Sequence, residues 1–530
     1  MIRRRVLLGA LFAVLFTVGW WAGRGRASGD RYANLDLFIE VLHAVQGNYV
    51  DPVEPSSLIE GSVRGLLHGL DPYSQYLDAR EYQNLKSSLE GEFDGIGAYV
   101  DIRDGYPTVI APIEGSPAWE AGLLPGDVLY KIDGHNTFGF TVSEATARLR
   151  GAAGTEVVLG VARQGDAEPR DVTLKRGRIS TQAVPYAFVA APRVGYVRLA
   201  NFSAHAGSEV RAAIDTLRSQ GAKSLVLDLR GDPGGLVDQA VQVAEQFLPK
   251  EALVVYVKGR ASGIDQKHVA AALRPELLWP MVVLVDGGSA SASEIVAGAL
   301  QDQDRAFVLG TESFGKGSVQ NVYPLRARAG ALKLTTALYH TASGRTLHRL
   351  RVDHSASLDE DEEDPVSDTL TVEQQRKAFK TAGGRTVYSG GGVTPDLVVR
   401  PDSLPLLSRT IEDRRIGLKF AKHWATVPGA ELRVTPQAWS AFVAFVRAQG
   451  LNGADAEFES QRPRLSRALE REFLRRGKGA AAAAQASLAM DPMFKQAVRL
   501  LSGAKQSDEL YRLAGVPAPA RARSVLKVPR

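Results

Sequence analysis

Apolar and polar positions follow three different patterns along the 530-residue chain. Residues 34–90 carry apolar side chains at helical spacing, which predicts helices. Short β-branched runs between glycine turns then predict a compact β-rich domain with two short helices. Strands and helices alternate after it, which predicts an α/β layered core, and the last part is helical again. The expected bounds are 1–27 for an N-terminal export segment, 28–90 for a helical segment, 91–178 for the β-rich domain, 179–400 for the core and 401–530 for a helical C-terminal region.

The core pattern is specific enough to place individual elements. Runs that are apolar throughout are typical of buried strands, and the amphipathic runs between them are typical of helices. Strands are expected at Ala187–Ser203, Leu225–Leu229, Val254–Val257, Met281–Val285 and Ala306–Leu309, and helices at Glu209–Gln220, Leu236–Leu248 and Glu294–Leu300.

The N-terminus has the composition of an export segment. The basic residues Arg3–Arg5 precede an apolar run, Val6–Gly23, which is near spanning length and has Trp20 and Trp21 towards its far end. We expect a single anchor in the cell inner membrane, with everything after it outside the cytoplasm. The alternative is cleavage near Ala27 and release into the periplasm.

Composition excludes several kinds of chemistry. The chain has no cysteine, which removes disulfides, cysteine-ligated metals and a thiol nucleophile. Its nine histidines form no metal-binding pair, so we expect no metal and no cofactor. The net charge of +5 is small for this length and does not indicate nucleic-acid binding. The acidic segment Asp359–Asp364 is expected to be a solvated loop, with calcium binding as the alternative.

One serine lies where a strand runs through a glycine-rich turn into a helix. Backbone N–H groups at a helix start are unpaired and carry partial positive charge, so Ser291 lies where a tetrahedral oxyanion could be stabilised. Ser291 and Glu294 also match the Ser-x-x-Glu pattern of a capping box, in which the serine only caps the helix. This stretch alone leaves both readings open.

A lysine between two glycines follows in the segment SFGKGSVQ. A neutral lysine can act as the base for a serine nucleophile, and neutrality requires burial away from carboxylates. Lys316 and Gln320 are four residues apart, which on a strand would place both on one face, where an uncharged amide could orient the amine. The alternative is a solvated surface lysine.

The same segment nearly matches a phosphate-binding loop. Gly310, Gly315 and Lys316 have the spacing of such a loop, but Gly317 replaces the required Ser or Thr. The residues that follow are strand-like, whereas a phosphate-binding loop opens a helix. Nucleotide binding is therefore not expected.

A third element, LVLDLRGDPGG, is a buried strand that ends in a tight loop. In an α/β layer, sites gather at the carboxyl ends of strands. Gly234 and Gly235 could present backbone N–H groups to an anion there. An ordinary strand-to-helix turn is the alternative.

Together these segments resemble the carboxyl-terminal processing (tail-specific) serine peptidases. The resemblance extends over about residues 34–400 and includes GSASASEIVAGALQD, SFGKGSVQ, LDLRGDPGG and LKLTTALYHTASGRTLH. It implies a crotonase-like α/β peptidase core. The residue roles that it implies are Ser291 as nucleophile, Lys316 as general base, Gln320 as orienting residue, and backbone N–H groups of Ala292 and of Gly234 or Gly235 as the oxyanion hole.

The glycine loop departs from that family's pattern. Asp232 stands where Asn is usual, which adds a carboxyl group near the expected site. Residues 401–530 match no motif of the family.

The β-rich block resembles a PDZ domain. Its loop Gly95, Ile96, Gly97 and Ala98 would bind a terminal carboxylate through backbone N–H groups, and the next strand would pair with the incoming peptide. The helix Val142–Leu149 would form the other wall of the groove.

The resemblance implies a serine endopeptidase that captures C-terminal tails through the PDZ domain and cuts peptide bonds with a Gln-assisted Ser–Lys dyad. The alternatives are a non-catalytic PDZ scaffold on an inactive core and an acyl-CoA enzyme of the crotonase type. The expected partners are proteins with exposed C-terminal tails, the membrane through the N-terminal segment, an adaptor protein and a second copy of the chain.

Overall fold

The structure, a computed structural model, describes residues 35–520 except 91, 114, 125, 164–165, 167, 181, 272–278, 326–329, 350–375 and 402. The chain divides into two compact units between Asp71 and Pro72. The apolar run Val6–Gly23 and the acidic segment Asp359–Asp364 lie outside the described residues. Of the helices that are described, none is long and apolar enough to cross a membrane.

The first unit contributes two helices, α1 (Leu35–Asn48) and α2 (Pro55–His68). They agree with the helical spacing of the sequence, and Pro55 starts α2 at a position where its missing N–H costs nothing. Helix α1 buries none of its residues. This pair of helices therefore has little core of its own.

The second unit begins with a short strand and a helix and continues into the β-rich domain. The sequence predicted five β-rich runs and two short helices in that domain; the described part of the structure has eight strands and both helices, and the helix Val142–Leu149 has the predicted bounds. The elements are β1 (Gln75–Leu77), α3 (Ala79–Glu90), β2 (Glu92–Gly95), β3 (Ala98–Arg103), β4 (Tyr106–Pro112), α4 (Pro117–Glu120), β5 (Val128–Ile132), β6 (His135–Asn136), α5 (Val142–Leu149), β7 (Glu156–Ala162), β8 (Arg170–Lys175) and β9 (Gly177–Ser180).

The β-rich domain closes around its own core. Its main sheet has the strand order β3-β4-β5-β7-β8 with β6 on β5, and β2 pairs with β9. Leu129, Leu159 and Val157 point inwards and are fully buried. Thr141 and Glu144 form a capping box that fixes the start of α5.

The core contains two sheets. Its elements are β10 (Tyr186–Ala191), β11 (Val194–Arg198), α6 (Ala206–Ser219), β12 (Ser224–Asp228), α7 (Val237–Ala244), β13 (Leu253–Gly259), β14 (Gln266–Val269), β15 (Met281–Val285), α8 (Ala292–Asp302), β16 (Phe307–Gly310), β17 (Ser318–Pro324), β18 (Ala331–Thr341), β19 (Ala378–Lys380), β20 (Thr386–Tyr388) and β21 (Leu397–Val398). The first sheet has the order β10-β11-β12-β15-β16-β21 and is parallel except for β10. The second has the order β1-β18-β13-β14 with β17 on β18. The expected α/β alternation is confirmed, whereas β14, β19 and β20 were not predicted.

Both faces of the first sheet are covered, as a parallel sheet requires. Helices α6, α7 and α8 pack on one face, with Ile214, Val243 and Val296 in that core. The other face is covered by helices of the C-terminal region, which contribute Phe494 and Tyr511 to a second core. The C-terminal region therefore completes the core.

The C-terminal region consists of α9 (Leu406–Asp413), α10 (Ile416–Trp424), α11 (Pro436–Ala448), α12 (Asp455–Lys478), α13 (Ala480–Leu488), α14 (Pro492–Gly503) and α15 (Ser507–Ala514). It also contacts the β-rich domain at Trp119. The guanidinium groups of Arg415 and Arg475 lie 4.3 and 4.5 Å from the centre of that indole ring. Arg163 adds a salt bridge of 3.0 Å to Asp413. This region thus joins the sheet and the β-rich domain.

The parallel register brings three loops to one edge of the first sheet. Strands β12, β15 and β16 are neighbours in register. Their carboxyl ends lead into the loops 229–236, 286–291 and 311–317. Because the ends of adjacent parallel strands meet at one edge, these loops form a common site.

Candidate active site

Ser291 lies at the N-cap of α8 in a strained backbone conformation, with φ 55° and ψ −112°. A non-glycine residue adopts such angles at a cost of about 1–3 kcal/mol, which the surrounding structure must offset. Ala290 N–H donates to the Asp232 carbonyl at 2.9 Å and helps to hold the turn. The half-buried serine side chain thus lies at the tip of a fixed strand-to-helix turn.

The buried carboxylate of Glu294 joins the serine turn to the lysine loop. It accepts hydrogen bonds from Ser291 N–H at 2.9 Å and from Lys316 N–H at 2.8 Å. It also accepts from Gly315 N–H at 2.7 Å and from the Ser313 hydroxyl at 2.5 Å. Burial raises the pKa of Glu294, and these four donors oppose that rise. The capping box that the sequence indicated is present, and its glutamate also organises the neighbouring loop.

Tyr339, on β18, forms a second bridge between the two loops. Its hydroxyl lies 2.7 Å from the Lys316 carbonyl oxygen and 3.0 Å from Ser291 Oγ. A carbonyl only accepts, so the phenol donates to Lys316 and accepts from the serine hydroxyl. Burial raises the pKa of Tyr339, which keeps the phenol protonated. No sequence motif assigned this tyrosine a role.

Lys316 lies in the loop before β17, so the expectation that it shares a strand with Gln320 is wrong. Its half-buried side chain reaches the face of the Tyr73 ring, with Nζ 4.8 Å from the ring centre. Nζ makes neither a hydrogen bond with Ser291 Oγ nor a salt bridge with any described carboxylate. Gly317 allows the loop close packing, because a Cβ there would lie 2.4 Å from His348 N. The backbone of Lys316 is therefore fixed beside the serine, while its amine rests on an aromatic face.

The Gln320 side chain is held within the second sheet. Its amide nitrogen donates to the Ser318 hydroxyl at 3.0 Å and to the Thr335 hydroxyl at 3.3 Å. A bulge between Val319 and Gln320 changes the strand register at this point. The amide does not bond Lys316 in this arrangement, so its orienting role stays a prediction.

The glycine loop lies directly against the serine turn. A Cβ on Gly234 would be 2.6 Å from the Ala290 carbonyl oxygen and 2.7 Å from Ala292 N, so only glycine fits. Gly234 N–H donates to the Asp232 carboxylate at 2.8 Å. The N–H groups of Gly235 and Ala292 donate to none of the described residues. Of the three donors expected at the oxyanion hole, two are available and the Gly234 N–H is occupied.

The loop expected to bind a carboxylate connects β2 to β3. Gly97 has φ 74°, and a Cβ there would lie 2.3 Å from the Ser116 Cβ, so the turn needs glycine. Its carbonyl accepts from the Ser116 hydroxyl at 2.7 Å. Ile96 is buried and fixes the loop between Gly95 and Ala98. The loop is thus rigid, and α5 lies beside β3 across from it.

The β-rich domain also contacts the serine turn. Ile110 of β4 packs with Ala290 and with Phe314 of the lysine loop. The guanidinium group of Arg103 lies 3.7 Å from the centre of the Phe314 ring. The edge of the β-rich domain therefore lies next to the serine.

Three family models match this chain. Peptidase family S41 matches residues 193–356, the PDZ domain matches residues 108–163, and the Activating protease CtpB N-terminal domain matches residues 24–81. The S41 match covers the glycine loop, the serine turn and the lysine loop, and the PDZ match lies inside the β-rich domain.

Curated relatives and a solved structure agree with these models. The carboxy-terminal-processing protease of Bartonella bacilliformis is 41% identical over 327 residues, which are 61% of this chain and 74% of the relative. The carboxy-terminal processing protease CtpA of Bacillus subtilis is 33% identical over 62% of this chain and 69% of its own length. The structure of a photosystem II D1 C-terminal processing protease superposes with a TM-score of 0.53 and 25% identity, covering 76% of this chain and 96% of that one.

Proposed function

Because this chain belongs to peptidase family S41, as a carboxy-terminal processing serine protease with a PDZ domain, we propose that Ser291 is its nucleophile and Lys316 its general base. One observation carries the proposal. The single carboxylate of Glu294 accepts hydrogen bonds from the backbone N–H of both residues. The backbones of the two residues are thereby held together, and we propose that the flexible lysine side chain can turn to the serine hydroxyl.

The proposed reaction begins when the Ser291 hydroxyl attacks the substrate carbonyl and passes its proton to the neutral Lys316 amine. For this step the lysine leaves the Tyr73 ring, which its four-carbon side chain permits. The tetrahedral oxyanion is stabilised by the N–H groups of Ala292 and Gly235. The Lys316 ammonium then protonates the leaving amine as the C–N bond breaks. The neutral Lys316 amine next takes a proton from a water molecule that attacks the acyl-enzyme, and it returns that proton to Ser291 when the ester bond breaks.

Among the described residues no carboxylate pairs with the Lys316 amine, which supports the lysine as a base. A carboxylate beside the amine would favour its charged form, whereas a neutral amide does not. Gln320 lies four residues beyond the lysine, and we propose that its amide orients the amine once the lysine turns towards the serine. Its present partners, Ser318 and Thr335, hold the amide by two neutral hydrogen bonds.

We further propose that the PDZ domain selects substrates by their C-terminal carboxylate. Gly97 fixes the turn between β2 and β3, and α5 contacts β3. We propose that a C-terminal tail adds as a strand between β3 and α5 and that backbone N–H groups of the loop bind its carboxylate. Protein substrates with exposed C-terminal tails are the partners that fit this groove.

The test uses the full-length protein and a substrate protein with an apolar C-terminal tail. Wild type is expected to cleave it, and Ser291→Ala is expected to show at least a thousandfold lower kcat, roughly the loss that follows removal of a nucleophile. A peptide substrate with an amidated C-terminus is expected to raise KM and to leave kcat little changed. Normal cleavage by Ser291→Ala would refute the nucleophile, and an unchanged KM would refute tail capture alone.

A further inference from the structure

The glycine loop contains a carboxyl group that the proposed reaction does not use. Asp232 is fully buried, between β12 and the serine turn. Its Oδ1 accepts from Gly234 N–H at 2.8 Å, while its Oδ2 has no hydrogen-bond partner among the described residues. Its carbonyl accepts from Ala290 N–H and the Ser293 hydroxyl, both at 2.9 Å. The residue is thus tied to both sides of Ser291 and carries an unsatisfied oxygen.

Few charges face this carboxyl group. Arg198 of β11 favours its ionised form, but the guanidinium donates to the carbonyls of Leu199 and Asp228 and not to Asp232. Asp286, at the end of β15, opposes ionisation, and the Tyr99 phenol of the PDZ domain is buried close by. Glu294 is engaged at the lysine loop.

Burial dominates the proton equilibrium of this group. It raises the pKa of Asp232 to about 7, against the Gly234 N–H and Arg198, which lower it. Below that pH the carboxyl group is neutral, and above it the group carries a negative charge. Asp232 therefore changes its charge near neutral pH.

We propose that Asp232 is a proton-controlled positioning residue of the oxyanion hole. While ionised it holds the Gly234 N–H and places a negative charge beside the position where the oxyanion develops. After taking up a proton it is a weaker acceptor, and it no longer opposes that charge. The proposal rests on Ser291 being the nucleophile. As the pH rises, kcat is expected to increase because Lys316 loses its proton, and ionisation of Asp232 is expected to oppose that increase.

Asp232→Asn tests this, because it removes the charge and retains an acceptor for Gly234 N–H. The ratio of kcat between Asp232→Asn and wild type is expected to rise about tenfold between pH 6 and pH 8.5, with KM unchanged. Lysine ionisation affects both proteins and cancels in the ratio. Asp238→Asn, which removes an exposed carboxylate at the start of α7, is the matched control and should give a flat ratio.

A second measurement keeps this test separate from the proposed function. In the Ser291→Ala background, infrared spectra with and without Asp232→Asn report the C=O stretch of a protonated carboxyl group. We expect that band at pH 6 and its loss at pH 8.5. A missing band, or a flat kcat ratio in active enzyme, overturns the proposal. If wild type cleaves nothing at any pH, the proposed function fails and the positioning role of Asp232 fails with it, whatever the spectra show.

Discussion

Lys316→Ala is expected to lower kcat by about a thousandfold or more and to leave KM within a few fold. Removing a general base removes a group that acts in the transition state, and such groups contribute on the order of 10² to 10⁴ in rate. Substrate binding should persist because the Lys316 side chain is not one of the groups proposed to hold the C-terminal tail. Steady-state kinetics on a tailed substrate give both constants, and Lys258→Ala, an exposed lysine of β13, is the matched control.

Lys316→Arg separates the base from a fixed positive charge. Arginine retains the charge and much of the length but cannot lose its proton. We expect it to be as inactive as the alanine variant. Activity near the wild-type level in either variant would refute the assignment of Lys316 as the base.

Glu294→Gln is expected to reduce kcat by about a hundredfold and the free energy of unfolding by about 3 kcal/mol. The carboxylate accepts four hydrogen bonds, and an amide must turn its NH₂ group towards at least one of those donors, which leaves buried groups unsatisfied at about 1–3 kcal/mol each. The lysine loop and the serine turn then lose their common anchor. Urea unfolding and steady-state kinetics measure the two effects.

Glu312→Gln provides the comparison for that variant. Glu312 lies in the same loop but pairs with Arg376 at a partly exposed position. Its replacement is expected to change stability by less than about 1 kcal/mol and to leave kcat unchanged. A Glu294→Gln protein that is less stable but fully active once folded would show that Glu294 supports the fold and does not position the dyad.

The sequence could predict the elements and the loops that meet at the site, because both follow from local patterns. Apolar runs mark the parallel strands, and parallel strands bring their following loops to one edge. The family resemblance implied that the loop with Gly234 lies beside the turn with Ser291, and a Cβ at Gly234 would collide with that turn. The predicted helix at Glu294 was also correct within two residues at each end.

The contacts that complete the site arise from long-range pairing that no local pattern reports. Tyr339 lies 48 residues after Ser291, and it reaches the serine only because β17 and β18 pair with each other. The Ser-x-x-Glu spacing indicated a helix cap, but the other donors to Glu294 come from the lysine loop. The spacing from Lys316 to Gln320 was misread because the strand starts only at Ser318 and contains a bulge.

The packing role of the C-terminal region could not be predicted from the sequence either. Its helices could be predicted from composition, but not the surfaces they cover. One face of the first sheet carries buried residues such as Phe307 that need a covering layer, and α14 and α15 supply it with Phe494 and Tyr511. The stacking of Arg415 on Trp119 joins residues almost 300 positions apart, beyond any sequence pattern.

The central claim is that Lys316 activates the Ser291 hydroxyl, and the rate at which that hydroxyl reacts covalently tests it most directly. A small phosphonyl fluoride modifies an activated serine without any need for tail capture, and intact-mass spectrometry with peptide mapping reports the modification at Ser291. We expect wild type to be modified at least about a hundredfold faster than Lys316→Ala at every pH between 6 and 9. Equal rates in the two proteins would contradict the account.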